Sequence, residues 1–403
     1  MDNLRKDFPF LKNNPELAYF DNAATSLKPQ QVIDEVSYYY EHLGANIHRG
    51  DYKLSHKVSG LFDQTRIDVA CFINADSNEV VFTSGASESL NLVAMGFASQ
   101  ALSKGDVILL NETEHASNLL PWYALAQQFD FVIEFIETDE HGEIQVDNLK
   151  KALHDKVKLV SIAHASNVLG YIRDIQTMSH LVHENQAYLV VDGAQTVGHI
   201  EVDVKALDVD FFAFSAHKML GPTGVGVLYG KAELLKQTQP IFFGGGSNVD
   251  FDTKGTMTLK EAPYKFESGT PNIEGVLGFR KAIEYYNEKG ISTIESLNSQ
   301  LYEYAYLHLS KLDNVVIYNP NSDLSIISFN VKGIFAQDVA QYLDSFDIAV
   351  RTGEHCAKAF DPTMKKSKTI RASLLFYNTK EEVDRLVEAL RDITLEKCID
   401  LYI

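Results

Sequence analysis

The stretch that decides the fold is Phe211-Phe-Ala-Phe-Ser-Ala-His-Lys-Met-Leu-Gly-Pro-Thr-Gly-Val-Gly226. An apolar run that ends abruptly in polar residues predicts a strand buried on both faces. The glycines that follow allow the backbone to turn tightly and to pass close to its neighbours. The stretch therefore predicts a buried strand that presents Ser215, His217 and Lys218 at its carboxyl end.

Lys218 is the most informative of these three side chains. A randomly chosen lysine is more often a solvated loop residue, but Ser215, His217 and the glycine cluster favour a buried one. Burial lowers the pKa of a lysine from about 10.4 towards neutrality, which makes its amine a nucleophile or a base. A lysine in this position is typical of one that holds an aldehyde cofactor as a Schiff base.

The same succession of strand, turn and helix recurs before this stretch. Besides the strand at Phe211, apolar runs predict strands at residues 79–83, 107–110, 131–135, 157–163, 188–192 and 226–229. Such alternation predicts an α/β fold with a mostly parallel seven-stranded sheet flanked by helices.

The pattern changes from about residue 272. A long helical stretch is predicted from 273 to about 312, then short strands such as 324–329, and helices near residues 336 and 381 that flank a polar loop at 351–367. We therefore expect a large domain at 18–272 and a smaller α+β C-terminal domain at 273–403. Residues 1–17 are expected to pack on the smaller domain.

Composition narrows the class of protein. The net charge of −19 leaves no basic stripe for a nucleic acid, and no apolar run approaches the roughly 20 residues of a membrane span. The N-terminus lacks an apolar signal core, so a cytoplasmic protein is expected. Cys71, Cys356 and Cys398 are odd in number and widely spaced, which argues against a disulfide framework. Cys71 is expected in a helix core, and Cys398 is expected to be structural.

Polar residues at the strand ends indicate a ligand site, because open α/β sheets bind ligands at the carboxyl ends of their strands. Asp192 ends one strand; alone it could equally cap a helix, but beside Lys218 it suits a protonated pyridine nitrogen. Gln195 could donate to a phenolate oxygen, and His115 could stack on a flat ring. Residues 84–88 open a helix whose free N–H groups could bind phosphate, although serine is also a common helix cap.

Taken in order, several segments resemble fold type I pyridoxal-phosphate enzymes of the class V aminotransferase group, and within it the cysteine desulfurases. The resemblance covers nearly the whole chain and lies in residues 19–24, 46–50, 114–115, 166–170, 191–195, 215–218, 266–272, 351–356 and 371–373. The Arg-x-Gly-x-His-Cys motif at 351–356, with its short following loop, is similar to the SUF-type branch that serves iron–sulfur assembly.

The resemblance implies a role for each matching residue. Lys218 would hold pyridoxal 5'-phosphate, Asp192 would pair with the ring nitrogen, Gln195 with the ring oxygen, and His115 would stack on the ring. The implied phosphate ligands are Ala86, Ser87, Ser215 and His217, with Thr270 reaching the phosphate of the neighbouring subunit. The implied substrate contacts are Asn167, Arg371, Ala23, His48 and Arg49. No metal site is implied.

The implied reaction converts L-cysteine into L-alanine and leaves a persulfide on Cys356. The sulfur would pass to an acceptor of the SUF system, SufU-like or SufE-like, and the enzyme would be a homodimer. Two positions depart from the family pattern, because Ala116 replaces a second histidine and Glu354 replaces a histidine or glutamine. A carboxylate at position 354 is expected to disfavour the thiolate of Cys356.

Other functions were weighed against this one. A selenocysteine lyase, or another class V lyase, would share every cofactor residue, and the products formed from cysteine and selenocysteine would separate them. A metal-binding scaffold that uses His355 and Cys356 is disfavoured, because the chain lacks paired Cys/His spacing. A nicotinamide enzyme is excluded, because no G-x-G-x-x-G follows the first strand.

Overall fold

The structure is a computed structural model that describes residues 2–48, 50–139, 141–357 and 368–401. Its strands are numbered in chain order. They are β1 (Ala18–Tyr19), β2 (Val80–Thr83), β3 (Val107–Asn111), β4 (Val132–Ile136), β5 (Val157–Ala163), β6 (Tyr188–Asp192), β7 (Phe211–Ser215), β8 (Gly226–Gly230), β9 (Asn248–Phe251), β10 (Met257–Leu259), β11 (Val315–Ile317), β12 (Ile326–Val331), β13 (Ile348–Ala349), β14 (Arg351–Gly353) and β15 (Thr369–Ser373).

The helices are numbered in the same way. They are α1 (Asp2–Arg5), α2 (Pro9–Asn13), α3 (Gln30–Tyr38), α4 (Lys53–Phe72), α5 (Ala86–Leu92), α6 (Ser99–Ala101), α7 (Leu120–Phe129), α8 (Val146–Ala152), α9 (Ile175–Glu184), α10 (Ala232–Gln237), α11 (Ile273–Lys289), α12 (Ile291–Leu309), α13 (Ala336–Asp344), α14 (Lys380–Asp392) and α15 (Leu395–Asp400). A π-helical segment, Tyr39–Leu43, extends α3, and another, Val93–Ala98, joins α5 to α6. Within the described residues, no helix is both long and apolar enough to cross a membrane.

The central sheet has the strand order β2-β8-β7-β6-β5-β3-β4. All neighbouring pairs are parallel except those that involve β8, which runs antiparallel to both β2 and β7. Strand β8 reverses direction because a short turn, rather than a crossover helix, connects it to β7. The mostly parallel seven-stranded sheet is therefore confirmed, with each strand at its predicted place.

A second sheet lies in the C-terminal part of the chain. Its order is β11-β12-β15-β14, and all of its pairs are antiparallel. Helices α12, α13 and α14 contribute to a separate apolar core with this sheet, which confirms a smaller α+β unit. The short strand β1 pairs with β13, and Ala18 and Phe20 belong to this second core. The division at residue 272 stays a prediction.

Two sequence predictions need correction here. The helical stretch predicted from 273 to 312 is two helices, because Gly290 has a φ of +79° that ends α11 before α12 begins. The loop predicted at 351–367 begins as strand β14, which pairs with β15. The remainder of that predicted loop, 358–367, lies outside the described residues.

The N-terminal residues pack on the later part of the chain through Phe8. Its ring lies 6.0 Å from that of Tyr285, 5.7 Å from that of Phe376 and 4.5 Å from that of Tyr377. The docking of residues 1–17 on a C-terminal domain stays a prediction, but these contacts tie the chain start to α11 and to the segment after β15.

Candidate active site

A cavity of about 200 Å³ lies where β3, β5, β6 and β7 end. It brings together residues from the central sheet with others from the second sheet. The predicted site residues that line it are Ala23, Ala86, Ser87, His115, Asn167, Asp192, Gln195, Ser215, His217, Lys218 and Arg371. This placement follows from the parallel arrangement, because such strands deliver their carboxyl ends to one edge.

Lys218 ends a single 3₁₀ turn, Ala216–Lys218, that directly follows β7. Burial is the largest cause that lowers the pKa of its amine, and the guanidinium groups of Arg371 and Arg351 act in the same direction, which gives a pKa of about 8. The nearby carboxylate of Asp192 and the thiol of Cys356 oppose this effect. The ammonium form still predominates at pH 7, but the unprotonated amine is far more populated than in an exposed lysine.

Asp192 is the last residue of β6, and Gln195 lies on the turn that follows. The Oδ1 atom of Asp192 accepts a hydrogen bond from the Ala194 amide at 2.9 Å, and burial raises the pKa of this carboxyl group while Lys218 opposes the rise. Gln195 donates through Nε2 to the Ala23 carbonyl at 3.1 Å. Asp192 is thus a carboxylate that a buried cationic ligand atom would stabilise in its charged form.

His115 follows β3 and is kept neutral. Burial lowers the pKa of its imidazole to about 4, assisted by the charge of Lys218, and Nδ1 accepts the Ser117 amide at 3.1 Å. Beneath it, Glu114 forms a buried ion pair with Arg173 at 2.6 Å. Because Glu114 directly precedes His115, this buried ion pair fixes the backbone that carries the imidazole ring.

The opposite end of the cavity is formed by the start of α5. The Ala86 amide donates to Ser215 Oγ at 2.8 Å, and the hydroxyls of Ser87 and Ser117 lie 2.6 Å apart. A Cβ at Gly226 would lie 2.3 Å from the Cα of Gly85, so β8 and this turn are in backbone contact. The start of the helix and the hydroxyls around it suit an anion.

Arg371, on β15, extends the site from the second sheet. It is fully buried and donates to the Asn167 carbonyl at 2.8 Å and to Asp21 Oδ1 at 3.1 Å. Its Nε has no hydrogen-bond partner among the described residues. An unpaired buried guanidinium nitrogen is costly, and a bound carboxylate would satisfy it.

Cys356 lies beside the cavity rather than in its lining, and its side chain is half-buried. The guanidinium of Arg351, which does line the cavity, is 3.7 Å from the Cys356 sulfur. Both His355 and Cys356 have positive φ, +49° and +61°. The Cys356 carbonyl accepts the Ala116 amide at 2.7 Å, so the cysteine segment is attached to the segment that carries His115.

The other two cysteines lie elsewhere. Cys398 is buried in α15, as predicted, whereas Cys71 is exposed on α4. The predicted helix is present, but Cys71 lies on its outer face. The expectation that Cys71 lies in a helix core is therefore wrong.

Two further predicted residues, Thr270 and His48, do not line the cavity of this chain. Thr270 lies near Asn46, with 3.3 Å between Thr270 Oγ1 and Asn46 Nδ2. His48 lies 3.5 Å from Asp63 and does not line the cavity. Arg49 is outside the described residues. The roles given to all three stay predictions.

Sequence reasoning missed several residues of the cavity wall. Arg351 and His355 line it, as do Thr113 and Ser117. Arg351 and His355 stand within the motif at 351–356, so the signal was present, but their position depends on how the second sheet docks.

A family model and the sequences of known proteins match nearly the whole length of this chain. The aminotransferase class-V family model matches residues 18–386. A probable cysteine desulfurase of Staphylococcus epidermidis is 43% identical over 392 residues, which cover 96% of this chain and 95% of the relative. A probable cysteine desulfurase of Halalkalibacterium halodurans is 39% identical over 391 residues, which cover 96% of each.

Solved structures give the same result. The apo structure of a cysteine desulfurase from Thermococcus onnurineus NA1 is 40% identical, with a TM-score of 0.92 and coverage of 97% of both chains. The cysteine desulfurase CsdA from Escherichia coli, in an S-sulfonic acid form, is 34% identical with a TM-score of 0.91, covering 99% of this chain and 98% of that one. From the family match and these relatives, this chain belongs to the aminotransferase class-V family.

Proposed function

We propose that this protein is a pyridoxal-phosphate-dependent cysteine desulfurase that converts L-cysteine into L-alanine and a persulfide on Cys356. The observation that carries the proposal is the convergence of Lys218, Asp192 and Arg371 on one cavity, with a half-buried thiol at its border. The relatives named cysteine desulfurase match nearly the full length of the chain, which supports the same activity.

The residues present fit pyridoxal 5'-phosphate. The fit rests on a lysine amine with lowered pKa, a buried carboxylate at a strand end, and the hydroxyls of Ser87 and Ser215 at the start of α5. Lys218 would hold the cofactor, Asp192 would face its ring nitrogen, Gln195 its ring oxygen and His115 its ring face. Ala86, Ser87, Ser215 and His217 would hold the phosphate. When bound, the cofactor supplies an electron sink for the carbon atoms of the substrate.

Lys218 is the proton-transfer group in this proposal. Its Nζ, with a pKa near 8, takes the proton from the substrate Cα. The same amine is placed to return a proton to the product. Arg371 and Asn167 would hold the substrate carboxylate, since Arg371 Nε is buried and has no partner in the described part of the chain.

Sulfur transfer belongs to Cys356. The Cys356 sulfur, 3.7 Å from the neighbouring Arg351 guanidinium, attacks the sulfur of the substrate as a thiolate. The carbon–sulfur bond breaks, a sulfur–sulfur bond forms, and the electron pair of the broken bond stays with the three-carbon chain. That chain takes up a proton and becomes alanine, so no external oxidant or reductant is consumed.

Delivery of the sulfur to an acceptor of the SUF system, for iron–sulfur assembly, is part of the proposal. The half-exposed position of Cys356 supports it, because a second protein can reach the sulfur. A homodimer is also proposed. Supporting it is the exposed hairpin β9–β10, whose Phe251 and Met257 are 72% and 50% exposed beside the segment that leads to Thr270.

The test is incubation of the purified protein, loaded with pyridoxal 5'-phosphate, with L-cysteine. Alanine should appear, and mass spectrometry of the protein should show an added sulfur on Cys356. A cofactor absorbance band that disappears on borohydride reduction should accompany this activity. Absence of alanine together with absence of added sulfur would refute the proposal. Selenocysteine in the same assay decides the alternative, since a selenocysteine lyase would release alanine from it far faster than from cysteine.

A further inference from the structure

Lys28 is a half-buried lysine for which the mechanism above has no use. It lies between β1 and α3, on a segment that contacts the turn after β7. Its Nζ donates to Thr25 Oγ1 at 3.2 Å, to the His217 carbonyl at 2.9 Å and to the Ser26 carbonyl. All three acceptors are neutral oxygens, and no carboxylate pairs with Lys28 among the described residues.

The His217 carbonyl is the centre of this arrangement. Besides Lys28, it accepts from the Ser26 amide at 3.0 Å, from Ser26 Oγ at 3.1 Å and from Thr25 Oγ1 at 3.1 Å. Ser26 Oγ in turn accepts from the Leu220 amide at 2.8 Å. The segment at 25–28 therefore forms hydrogen bonds on both sides of Lys218, to the His217 carbonyl and to the Leu220 amide.

The charge of Lys28 reaches the cavity. Burial lowers the pKa of Lys28 to about 8, so the ammonium form still predominates at pH 7. Burial, then Lys218, then Lys28 lower the pKa of the His217 imidazole to about 4. His217 lines the cavity at the end where the phosphate is placed. A cation without a neutralising carboxylate at this point favours a bound anion.

We propose that Lys28 is a positioning residue that fixes the His217–Lys218 peptide and supplies an unneutralised positive charge to the phosphate end of the cavity. The inference rests on the proposed function only in placing the cofactor phosphate beside His217. It assigns to a residue outside the cavity wall a share of the affinity for the phosphate group.

The experiment measures binding to the apoprotein at pH 7, with no turnover required. Dissociation constants for pyridoxal 5'-phosphate and for pyridoxal, which lacks the phosphate, are determined for the wild type, Lys28→Met and Lys28→Arg. A unit charge about 10 Å away at an effective dielectric constant of about 20 is worth roughly tenfold in binding. Lys28→Met should therefore weaken the binding of pyridoxal 5'-phosphate about tenfold more than it weakens the binding of pyridoxal, and Lys28→Arg should restore both affinities.

Lys104→Met is the matched control, because Lys104 is an exposed lysine paired with Asp130. It should leave both affinities at the wild-type value. Equal weakening of both ligands by Lys28→Met would show a purely structural role and overturn the proposal, and so would unchanged binding of both. Should Lys28→Met fail to fold, Lys28→Gln takes its place against Lys28→Arg under the same criteria. Wild-type protein that binds no pyridoxal 5'-phosphate would instead overturn the proposed function.

Discussion

The backbone at Cys356 is held in a left-handed conformation, with φ of +61°, directly after His355 at +49°. Such residues persist only where surrounding contacts fix them, and they concentrate at functional sites. Here the contacts are the Ala116 amide on the Cys356 carbonyl and Asn167 Nδ2 on the His355 carbonyl, 2.7 and 2.8 Å long. The thiol is thus positioned by backbone contacts that do not depend on its own side chain.

Cys356→Ala should therefore separate sulfur chemistry from cofactor binding. The variant should keep the cofactor absorbance and its response to L-cysteine, and should lose persulfide formation. Cys71→Ala and Cys398→Ala are the controls and should keep near wild-type activity, with a packing cost of about 1 kcal/mol for the buried Cys398. The readouts are alanine release and protein mass. An added sulfur found on Cys71 or Cys398 would show that the nucleophile is misassigned.

Lys218→Ala should abolish proton transfer. Because a positioned general base contributes about a hundredfold or more, alanine release should fall by at least that factor. The cofactor band should also change, although cofactor can remain bound without the covalent link. Lys205→Ala, which removes an exposed lysine paired with Asp76, is the control and should keep full activity. Full activity in purified Lys218→Ala would contradict the role given to this amine.

The pH dependence of stability should report the buried histidines. The pKa values of His115, His164 and His217 are lowered to about 4, first by burial. Between pH 6.5 and 4 the unfolded chain binds protons that the folded chain does not, so the free energy of unfolding should fall as the pH falls.

His164 allows a clean test, because it is buried and does not line the cavity. Its replacement in His164→Gln should flatten the pH slope of the apoprotein by up to about 1.4 kcal/mol per pH unit between pH 6.5 and 5. Denaturant unfolding at several pH values gives the slopes, and equal slopes for wild type and His164→Gln would contradict the assignment.

At the scale of elements, the break between α11 and α12 depends on one residue. Gly290 has φ +79° and ψ +124°, which a residue with a Cβ adopts only with strain. Gly290→Ala should cost about 1–3 kcal/mol of unfolding free energy. Gly60→Ala is the control, because Gly60 is exposed within α4 and a Cβ there meets nothing within 4 Å. That change should stabilise by up to about 1 kcal/mol, and a similar effect of both variants would contradict the argument.

The elements also show which predictions a single sequence allows. The seven central strands were predictable, because each is a short apolar run that ends in polar or glycine residues. The break at Gly290 was not, since an isolated glycine in a helical pattern is often tolerated. Strands β1 and β13 span two residues each, too few for any periodicity to show. For Cys71 the helix itself was predictable, but which face of that helix packs against the core was not.

The candidate site divides in the same way. The residues at the ends of β3, β5, β6 and β7 could be predicted to meet, because a parallel sheet places them at one edge. Arg351 and His355 come from the second sheet, and their approach depends on tertiary docking that no local pattern encodes. Lys28 was also missed, because the role proposed for it depends on its contact with the His217 carbonyl, which no sequence motif indicates.

At the scale of the whole molecule, a homodimer with composite sites is expected. Thr270 lies outside the cavity of its own chain, next to an exposed apolar hairpin. Subunits of Lys218→Ala and Thr270→Ala should therefore complement each other after exchange. In a mixed dimer one site receives Lys218 from one subunit and Thr270 from the other, so a mixed dimer should have about half of the wild-type activity and an equal, fully exchanged mixture about a quarter. A monomer by light scattering at assay concentration would end this expectation.

The pairing of β1 with β13, and of the Phe20 carbonyl with the Ser373 amide at 2.7 Å, has a consequence for biosynthesis. Ribosomes synthesise the chain from its N-terminus at about 5–20 residues per second. The two partners of each pairing therefore emerge roughly 20–70 s apart. Throughout that interval the apolar segment that includes Ala18 and Phe20 has no native partner. That segment of a nascent chain is therefore expected to stay without its native core until the last hundred residues appear. The cavity, whose wall includes Arg351, His355 and Arg371, is therefore complete only when translation is nearly finished.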